Sequence, residues 1–263
     1  MELFWPTIER ALLGAFKNAT GNKAEVLLKK DSAVRIKEGL DVIVSSGASE
    51  RVVYKWNGLQ WWMCPGGPQK TGSYLDQKVN HSVAAEWAER LKLSKAWDLC
   101  CFEGGFGLHL AKKGLKVIGV DQSELALQIA DQNAHQNKVS DLMSFEKADI
   151  FEWIKMQSST TDMIVLDPPS FLKDSKAKLG ALKGFKELNL RSMKALKPGG
   201  VLVSCACSHH VSKTDYEQML KSAAHDSRKE FNVLEVLGPT PDHAPLLNFP
   251  EGTYLQAWFL RML

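Results

Sequence analysis

Ala96-Trp-Asp98-Leu-Cys-Cys-Phe-Glu103-Gly104-Gly105-Phe106-Gly107 decides how this chain folds. The apolar run over Ala96–Cys100 predicts a buried strand that carries Asp98 near its end. Glycines after a strand let the backbone approach a ligand closely, and the helix that starts behind them offers free N–H groups. Asp121 closes the next predicted strand, 23 residues after Asp98. An acid at about 20 residues past such a loop commonly accepts hydrogen bonds from ribose hydroxyls. Asp149-Ile150 follows the third strand, placed to meet an adenine, and Asp167-Pro168-Pro169 follows the fourth.

Two cofactors use this arrangement, a dinucleotide and S-adenosylmethionine. The dinucleotide fingerprint requires a third glycine, and Leu110 stands there instead. Each acid alone reads as a solvated loop carboxylate. Their placement at the ends of successive strands selects S-adenosylmethionine. The predicted cofactor contacts are Asp98, Gly104, Gly105, Phe106, Asp121, Gln122, Asp149, Ile150 and Asp167.

Outward from this loop, strands are predicted at Ala96–Cys100, Lys116–Val120, Met143–Glu146, Met163–Leu166, Val201–Cys205, Asn232–Leu237 and Thr253–Leu260. Helical patterns intervene, notably Glu124–Asn137 and Phe185–Leu196. The alternation predicts a Rossmann-like α/β fold, a seven-stranded, mostly parallel sheet with helices on both faces. Residues 1–80 read as a small lobe and linker before a catalytic domain at 81–263. The lobe starts with a helical pattern over Trp5–Lys17 and contains β-rich runs, with Asn57-Gly58 marking a hairpin turn.

Composition sets wider bounds. With 33 basic and 30 acidic residues, the net charge of +3 permits RNA contact without arguing for it. Neither a signal peptide nor an apolar run near the ~18 residues of a spanning helix is seen, so a soluble, cytoplasmic protein without a membrane partner is expected. Five cysteines at irregular spacing fit reduced thiols rather than a disulfide framework. Cys205, Cys207, His209 and His210 match no common zinc spacing, so no metal is expected. The oligomeric state is not legible.

The reacting half begins at Asp167-Pro168-Pro169, where two prolines fix the backbone and remove two donors. Such a turn can serve stiffness alone; beside the cofactor it presents Asp167 to a planar substrate. Cys207 ends the strand that follows, 40 residues later. Methylating an exocyclic nitrogen needs no covalent nucleophile, because nitrogen has a lone pair. Carbon 5 of a pyrimidine is inert until a thiolate adds at carbon 6. Cys207 is therefore predicted as nucleophile, with Asp167 bonding the ring nitrogen and amino group of cytosine. Cys205 shares the strand face one pleat deeper and reads as structural. Lys173, Lys176, Lys178, Lys183 and Lys186 suggest phosphate contacts beside this pocket, and Trp56, Trp61 and Trp62 offer either a stacking platform or core.

The chain resembles the bacterial large-subunit ribosomal RNA cytosine-5 methyltransferases from about residue 25 onward. The resemblance rests on Asp31-Ser-Ala-Val-Arg35-Ile-Lys-Glu38-Gly39-Leu40, Gln69-Lys70-Thr71-Gly72-Ser-Tyr74-Leu75-Asp76-Gln77 and Asp167-Pro-Pro-Ser-Phe171. It continues through Gly180-Ala-Leu-Lys-Gly184-Phe-Lys186-Glu-Leu-Asn189, Cys207-Ser208 and Pro250-Glu251-Gly252-Thr-Tyr254-Leu255. It implies a class I methyltransferase using S-adenosylmethionine on ribosomal RNA, with Cys207 as nucleophile, Asp167 on the base, and Asp121 and Asp149 on the cofactor. It also lays Lys70, Tyr74 and Gln77 over the cofactor and substrate. The chain reads as a short form lacking the family's usual N-terminal PUA domain, and Glu103 stands where the family has threonine. Ser170 separates Pro169 from Phe171, unlike amino-group methyltransferases, in which an aromatic follows directly. Related guanine-N7 enzymes lack a cysteine at the position of Cys207. The alternatives are an amino-group or guanine-N7 methyltransferase, or a degenerate fold that binds RNA as an assembly factor.

Overall fold

Seven strands form a single sheet in the order β5-β4-β3-β6-β7-β9-β8. They are β3 (Lys95–Leu99), β4 (Lys116–Asp121), β5 (Met143–Lys147), β6 (Thr161–Leu166), β7 (Leu196–Cys207), β8 (Phe231–Leu237) and β9 (Leu255–Met262). The first five pair in parallel, whereas β9 inserts antiparallel between β7 and β8. This is the mostly parallel sheet expected from the sequence. The computed structural model describes residues 5–21, 36, 52–63, 73–158, 160–170, 178–249 and 252–263.

By contacts, Tyr54–Trp62 and Tyr74–Leu263 form one compact unit, and Met1–Val53 with Met63–Ser73 another. In the latter, helix α1 spans Trp5–Thr20. Much of the predicted β-rich lobe lies outside the described residues, but its hairpin is present as β1 (Val52–Trp56) and β2 (Leu59–Met63). Asn57 and Gly58 both take positive φ, 47° and 73°, as a two-residue hairpin turn requires.

Helices cover both faces of the sheet, and strand alternation assigns each side chain its side. On one face lie α2 (Lys78–Arg90), α3 (Gly105–Lys112) and α4 (Glu124–Gln136). They pack with Leu59 and Trp61 of the hairpin over Ala96, Val117, Met163, Val165, Val201, Val203 and Cys205. On the other lie α5 (Ile150–Met156), α6 (Lys178–Ala195) and α7 (Lys213–Ser227) over Trp97, Leu99, Ile164, Leu166 and Leu202. Burying such side chains contributes roughly 1.5–3 kcal/mol each.

The two largest departures from the expected bounds are starts. Helix α6 begins at Lys178 rather than Phe185, and β7 begins at Leu196, running through Pro198-Gly199-Gly200. Leu196 still pairs with Thr161 of β6 across an irregularity in the register, which draws the Pro-Gly-Gly turn into the strand.

The hairpin is tied to the glycine loop by Asn133 of α4 and to the end of that helix by its C-cap, Asn137. Asn133 Oδ1 accepts Trp62 N–H at 2.7 Å and its Nδ2 donates to the Glu103 carbonyl at 3.2 Å. Asn137 Oδ1 accepts Gln60 N–H at 2.8 Å and its Nδ2 donates to the Gln60 carbonyl at 2.6 Å. Trp61 is 3% exposed and packs against Trp56 and His109, so it is core and not a stacking platform.

Candidate active site

Asp98 shares its strand face with Ala96, Asp121 with Val117, and Asp167 continues the face of Met163 and Val165. Cys205 and Cys207 continue the face of Val201 and Val203. The two-residue period thus aims these acids and thiols toward the α2–α3–α4 side at the carboxyl ends of the strands. That edge of an open α/β sheet is where ligands bind.

The loop after β3 is shaped by unusual backbone. Cys100 and Phe102 take φ of 62° and 49°, and Gly104 takes 84°. A side chain at Gly105 would sit 2.6 Å from the His81 ring, so glycine there is what lets the buried imidazole pack under the loop. Asp121 holds the loop from the next strand. Its Oδ2 accepts Phe102 N–H at 2.9 Å and its Oδ1 accepts Ser123 N–H at 2.9 Å. Each oxygen keeps a second lone pair for a ribose hydroxyl. Asp149 Oδ1 caps α5 by accepting Phe151 N–H at 2.8 Å, while its Oδ2 accepts Gln122 Nε2–H at 2.7 Å. Phe106 and Ile150 bury their side chains in the two cores.

Asp98 lies beneath the loop, 1% exposed. Its Oδ2 accepts Gly107 N–H at 2.7 Å, and its Oδ1 has no hydrogen-bond partner. Burial pushes this carboxyl up to about 7 against that hydrogen bond, with Asp167 and Asp121 adding to the push. An orphaned buried carboxylate oxygen beside a glycine loop fits the ammonium of an amino-acid moiety, which would satisfy it and restore its charge. The residues present therefore suit S-adenosylmethionine.

Glu103 is also buried, its Oε2 unpartnered, and burial pushes its carboxyl up to about 8. It is therefore largely uncharged at neutral pH, so it would not repel the carboxylate of a bound cofactor. The folded state keeps a proton that the unfolded chain releases above a pKa of roughly 4.3. This contribution to stability is full below that value and is lost as pH rises through about 8. Glu103→Gln should therefore gain on the wild type by up to roughly 3 kcal/mol between pH 5 and pH 8. Urea midpoints of the ligand-free proteins at the two pH values measure it; an equal difference at both would refute the assignment.

At the other end of the site, Asp167 N–H donates to the Leu99 carbonyl at 3.3 Å. Its Oδ2 accepts Gln77 Nε2–H at 3.0 Å, and Gln77 Oε1 accepts Asn80 Nδ2–H at 2.6 Å. Gln77 is 3% exposed and Asn80 fully buried, so this relay fixes the carboxylate. Leu166 pairs with Ser204, which sets the end of β6 beside Cys205 and leaves Cys207 further along β7. Tyr216 Oη donates to the Cys205 carbonyl at 2.9 Å, where β7 has outrun β6.

Tyr74 stands over this region, its ring edge-on to Phe102 with centroids 5.2 Å apart. Burial, then the charges of Asp167, Cys207, Asp76 and Asp121, push its phenol up. These groups therefore share one neighbourhood. Burial holds the thiols of Cys100, Cys101 and Cys205 well above their ordinary value. Cys207 is half-buried.

Asn80 bonds Gln77, and Tyr254 bonds Asp76, without any signal of either pair in the sequence. Nothing in a single chain marks a buried polar residue when its partner is far away in sequence. Of the predicted lysines, Lys178 pairs with Asp215 and Lys186 with Asp226, both at 2.6 Å, and Lys183 is exposed. Lys70, Cys64, Phe171, Lys173 and Lys176 lie outside the described residues. Among the described residues no cluster of three or more His, Cys, Asp or Glu is placed to hold a metal, and no helix is long and apolar enough to cross a membrane.

A Rossmann-like sheet with a glycine loop, strand-end acids and a buried orphan carboxylate defines an S-adenosylmethionine-dependent methyltransferase domain. Residues 92–244 match the methyltransferase-domain family, and the chain belongs to it. Among curated proteins it is similar to the ribosomal RNA large subunit methyltransferase I of Tolumonas auensis, 34% identical over 246 residues, which cover 89% of this chain and 61% of that protein. The chain spans about three-fifths of the length of such relatives. Among solved structures, SMU.776 complexed with SAH superposes with a TM-score of 0.70 at 16% identity, covering 84% of this chain and 58% of that one. Pyrococcus horikoshii TYW2 in complex with MeSAdo gives 0.66 at 15% identity over 100% of this chain and 86% of that one. These two likenesses speak to the fold.

Proposed function

We propose that this chain methylates carbon 5 of cytosine in ribosomal RNA through a transient bond between Cys207 and the base. The observation that carries the reading is a half-buried thiol, Cys207, ending the strand beside Asp167 in a methyltransferase domain. The ribosomal RNA methyltransferase name of its relatives supports the substrate class.

S-adenosylmethionine, when bound, supplies an electrophilic methyl group. Asp98 and the Gly104–Gly105 turn would hold its amino-acid end, Asp121 its ribose, and Gln122, Asp149 and the Ile150 backbone its adenine. Asp167, aimed by Gln77, would take the amino group and ring nitrogen of cytosine. Cys207 would add to carbon 6, and carbon 5 then becomes the nucleophile. The negative charge that develops on the ring is relieved when a proton shared between Asp167 Oδ1 and the ring nitrogen passes to that nitrogen. Tyr74 and Gln77 thus act on the substrate side of the pocket, and Lys183 offers a cation to the RNA backbone.

Incubating the protein with tritiated S-adenosylmethionine and large-subunit ribosomal RNA, then digesting to nucleosides, tests the reading. Label is expected in 5-methylcytidine. Label in an amino-methylated nucleoside or in N7-methylguanosine would replace this reading by the corresponding alternative.

A further inference from the structure

We propose that the buried Asp76 carboxylate, acting through the phenol of Tyr254, takes up the proton that leaves carbon 5. The inference rests on the cytosine-5 reading and names the group which that reading leaves open. Asp76 lies in the short turn before α2 and is 7% exposed. Its Oδ2 accepts the Tyr254 hydroxyl at 2.6 Å, and its backbone carbonyl accepts Thr240 N–H at 3.0 Å. Tyr254 directly precedes β9, where Leu255 pairs with Cys207. Its carbonyl accepts Ser208 N–H at 2.7 Å, so the backbone locks the tyrosine to the strand end that carries the thiol. The charges of Asp76 and Cys207 both act on the Tyr254 phenol.

Elimination among the acids leads to the same residue. Asp98 faces Gly107, Asp121 and Asp149 hold the cofactor loops, and Asp167 is engaged by Gln77 toward the base. Among the described residues, Glu103 belongs to the glycine loop at the cofactor end, and Asp76 is the carboxylate bonded to the tyrosine beside Cys207. Stereochemistry also favours it. When sulfur adds to one face of the carbon 5–carbon 6 bond and methyl to the other, the carbon-5 hydrogen is left on the sulfur's face. A base for that hydrogen must stand beside Cys207.

The step balances within the protein. The carbon 5–hydrogen bond breaks, and its electrons restore the carbon 5–carbon 6 double bond and expel the Cys207 thiolate. The proton passes to Tyr254 Oη as the phenol's own proton passes to Asp76, which later returns it to solvent. General base catalysis of this kind contributes on the order of 10²–10⁴-fold.

The test uses protein-free large-subunit ribosomal RNA carrying [5-³H]cytosine, with ¹⁴C-methyl S-adenosylmethionine. In Tyr254→Phe and Asp76→Asn, tritium release should fall by on the order of 10²-fold. A ¹⁴C-labelled enzyme–RNA adduct that survives denaturing detergent should accumulate toward one per enzyme. Wild-type tritium release, or slow turnover with no labelled adduct, would overturn the proposal. So would the same arrest in Tyr74→Phe with Tyr254→Phe unaffected, since Tyr74 shares the neighbourhood. If Asp76→Asn fails to fold, Tyr254→Phe, which loses one hydroxyl, decides. Full activity of Cys207→Ala marks a different failure, removing the cytosine-5 reading and this inference with it.

Discussion

Cys207→Ala is expected to abolish 5-methylcytosine formation, a loss on the order of 10⁴-fold or more, while the protein still folds and binds S-adenosylmethionine. The size follows from the chemistry. Without an adduct at carbon 6, carbon 5 carries no useful electron density, so no other interaction in the pocket compensates. Each tenfold loss corresponds to about 1.4 kcal/mol of transition-state stabilisation. Cys207→Ser should fare little better, because the thiolate is the stronger nucleophile and ionises far more readily than a hydroxyl. Folding should survive, since Cys207 is half-buried at a strand end, and the cofactor acids stand on other strands. Cys205→Ala is the informative partner. That thiol is fully buried, and burial holds it protonated, so its loss should cost stability yet leave adduct formation in place. RNA containing 5-fluorocytosine gives the direct readout, because carbon 5 cannot lose fluorine as a cation in the way it loses hydrogen as a proton. Wild type and Cys205→Ala should be trapped as covalent complexes, and Cys207→Ala should not. A trapped Cys207→Ala complex would move the nucleophile elsewhere.

Residues that act through their own strand were legible, and residues that act through a distant partner were not. Asp98, Asp121 and Asp167 were readable because each ends an apolar run, and strand ends in an α/β sheet converge on one edge. The strand face shared by Cys205 and Cys207 followed from a period of two. Helix α6 was seen only from Phe185 because its first turns, Lys178-Leu-Gly-Ala-Leu-Lys-Gly184, carry two glycines and little apolar spacing. The hairpin's role escaped for a different reason. Five-residue strands show alternation but not what they cover, and the covering of Trp61 is supplied by α3 and α4, far along the chain. Gln77 was placed over the pocket, yet its bond to Asp167 spans 90 residues and has no local signal. The Asp76–Tyr254 pair spans 178 residues and is invisible for the same reason. The burial of Glu103, and hence its neutrality, is a property of packing that no pattern encodes.

Asp167→Asn should lower kcat by on the order of 10²–10³-fold with a smaller change in KM, by analogy with removing one preorganised group opposite developing charge. The Gln77 amide dictates how the variant fails. Gln77 Oε1 is occupied by Asn80 Nδ2–H, so its Nε2 must remain a donor toward residue 167. A carboxyl group satisfies that donor with Oδ2 and keeps Oδ1 to carry the proton shared with the ring nitrogen. An asparagine has one acceptor, and Gln77 claims it, leaving an NH₂ group toward cytosine. That NH₂ can donate to the ring nitrogen but confronts the exocyclic amino group with a second donor. It also cannot pass a proton to the ring nitrogen as the thiolate adds at carbon 6. Freeing the acceptor should therefore recover part of the loss. In Asp167→Asn/Gln77→Glu, a carboxylate at 77 can accept from the asparagine NH₂, turning its carbonyl toward the cytosine amino group. The double variant should bind cytosine RNA better than Asp167→Asn while remaining slow in kcat, because proton delivery is still missing. Steady-state kinetics with the four proteins, wild type, each single variant and the double, form a cycle that isolates the coupling. Strictly additive effects of the two substitutions would show that Gln77 does not set the orientation of residue 167.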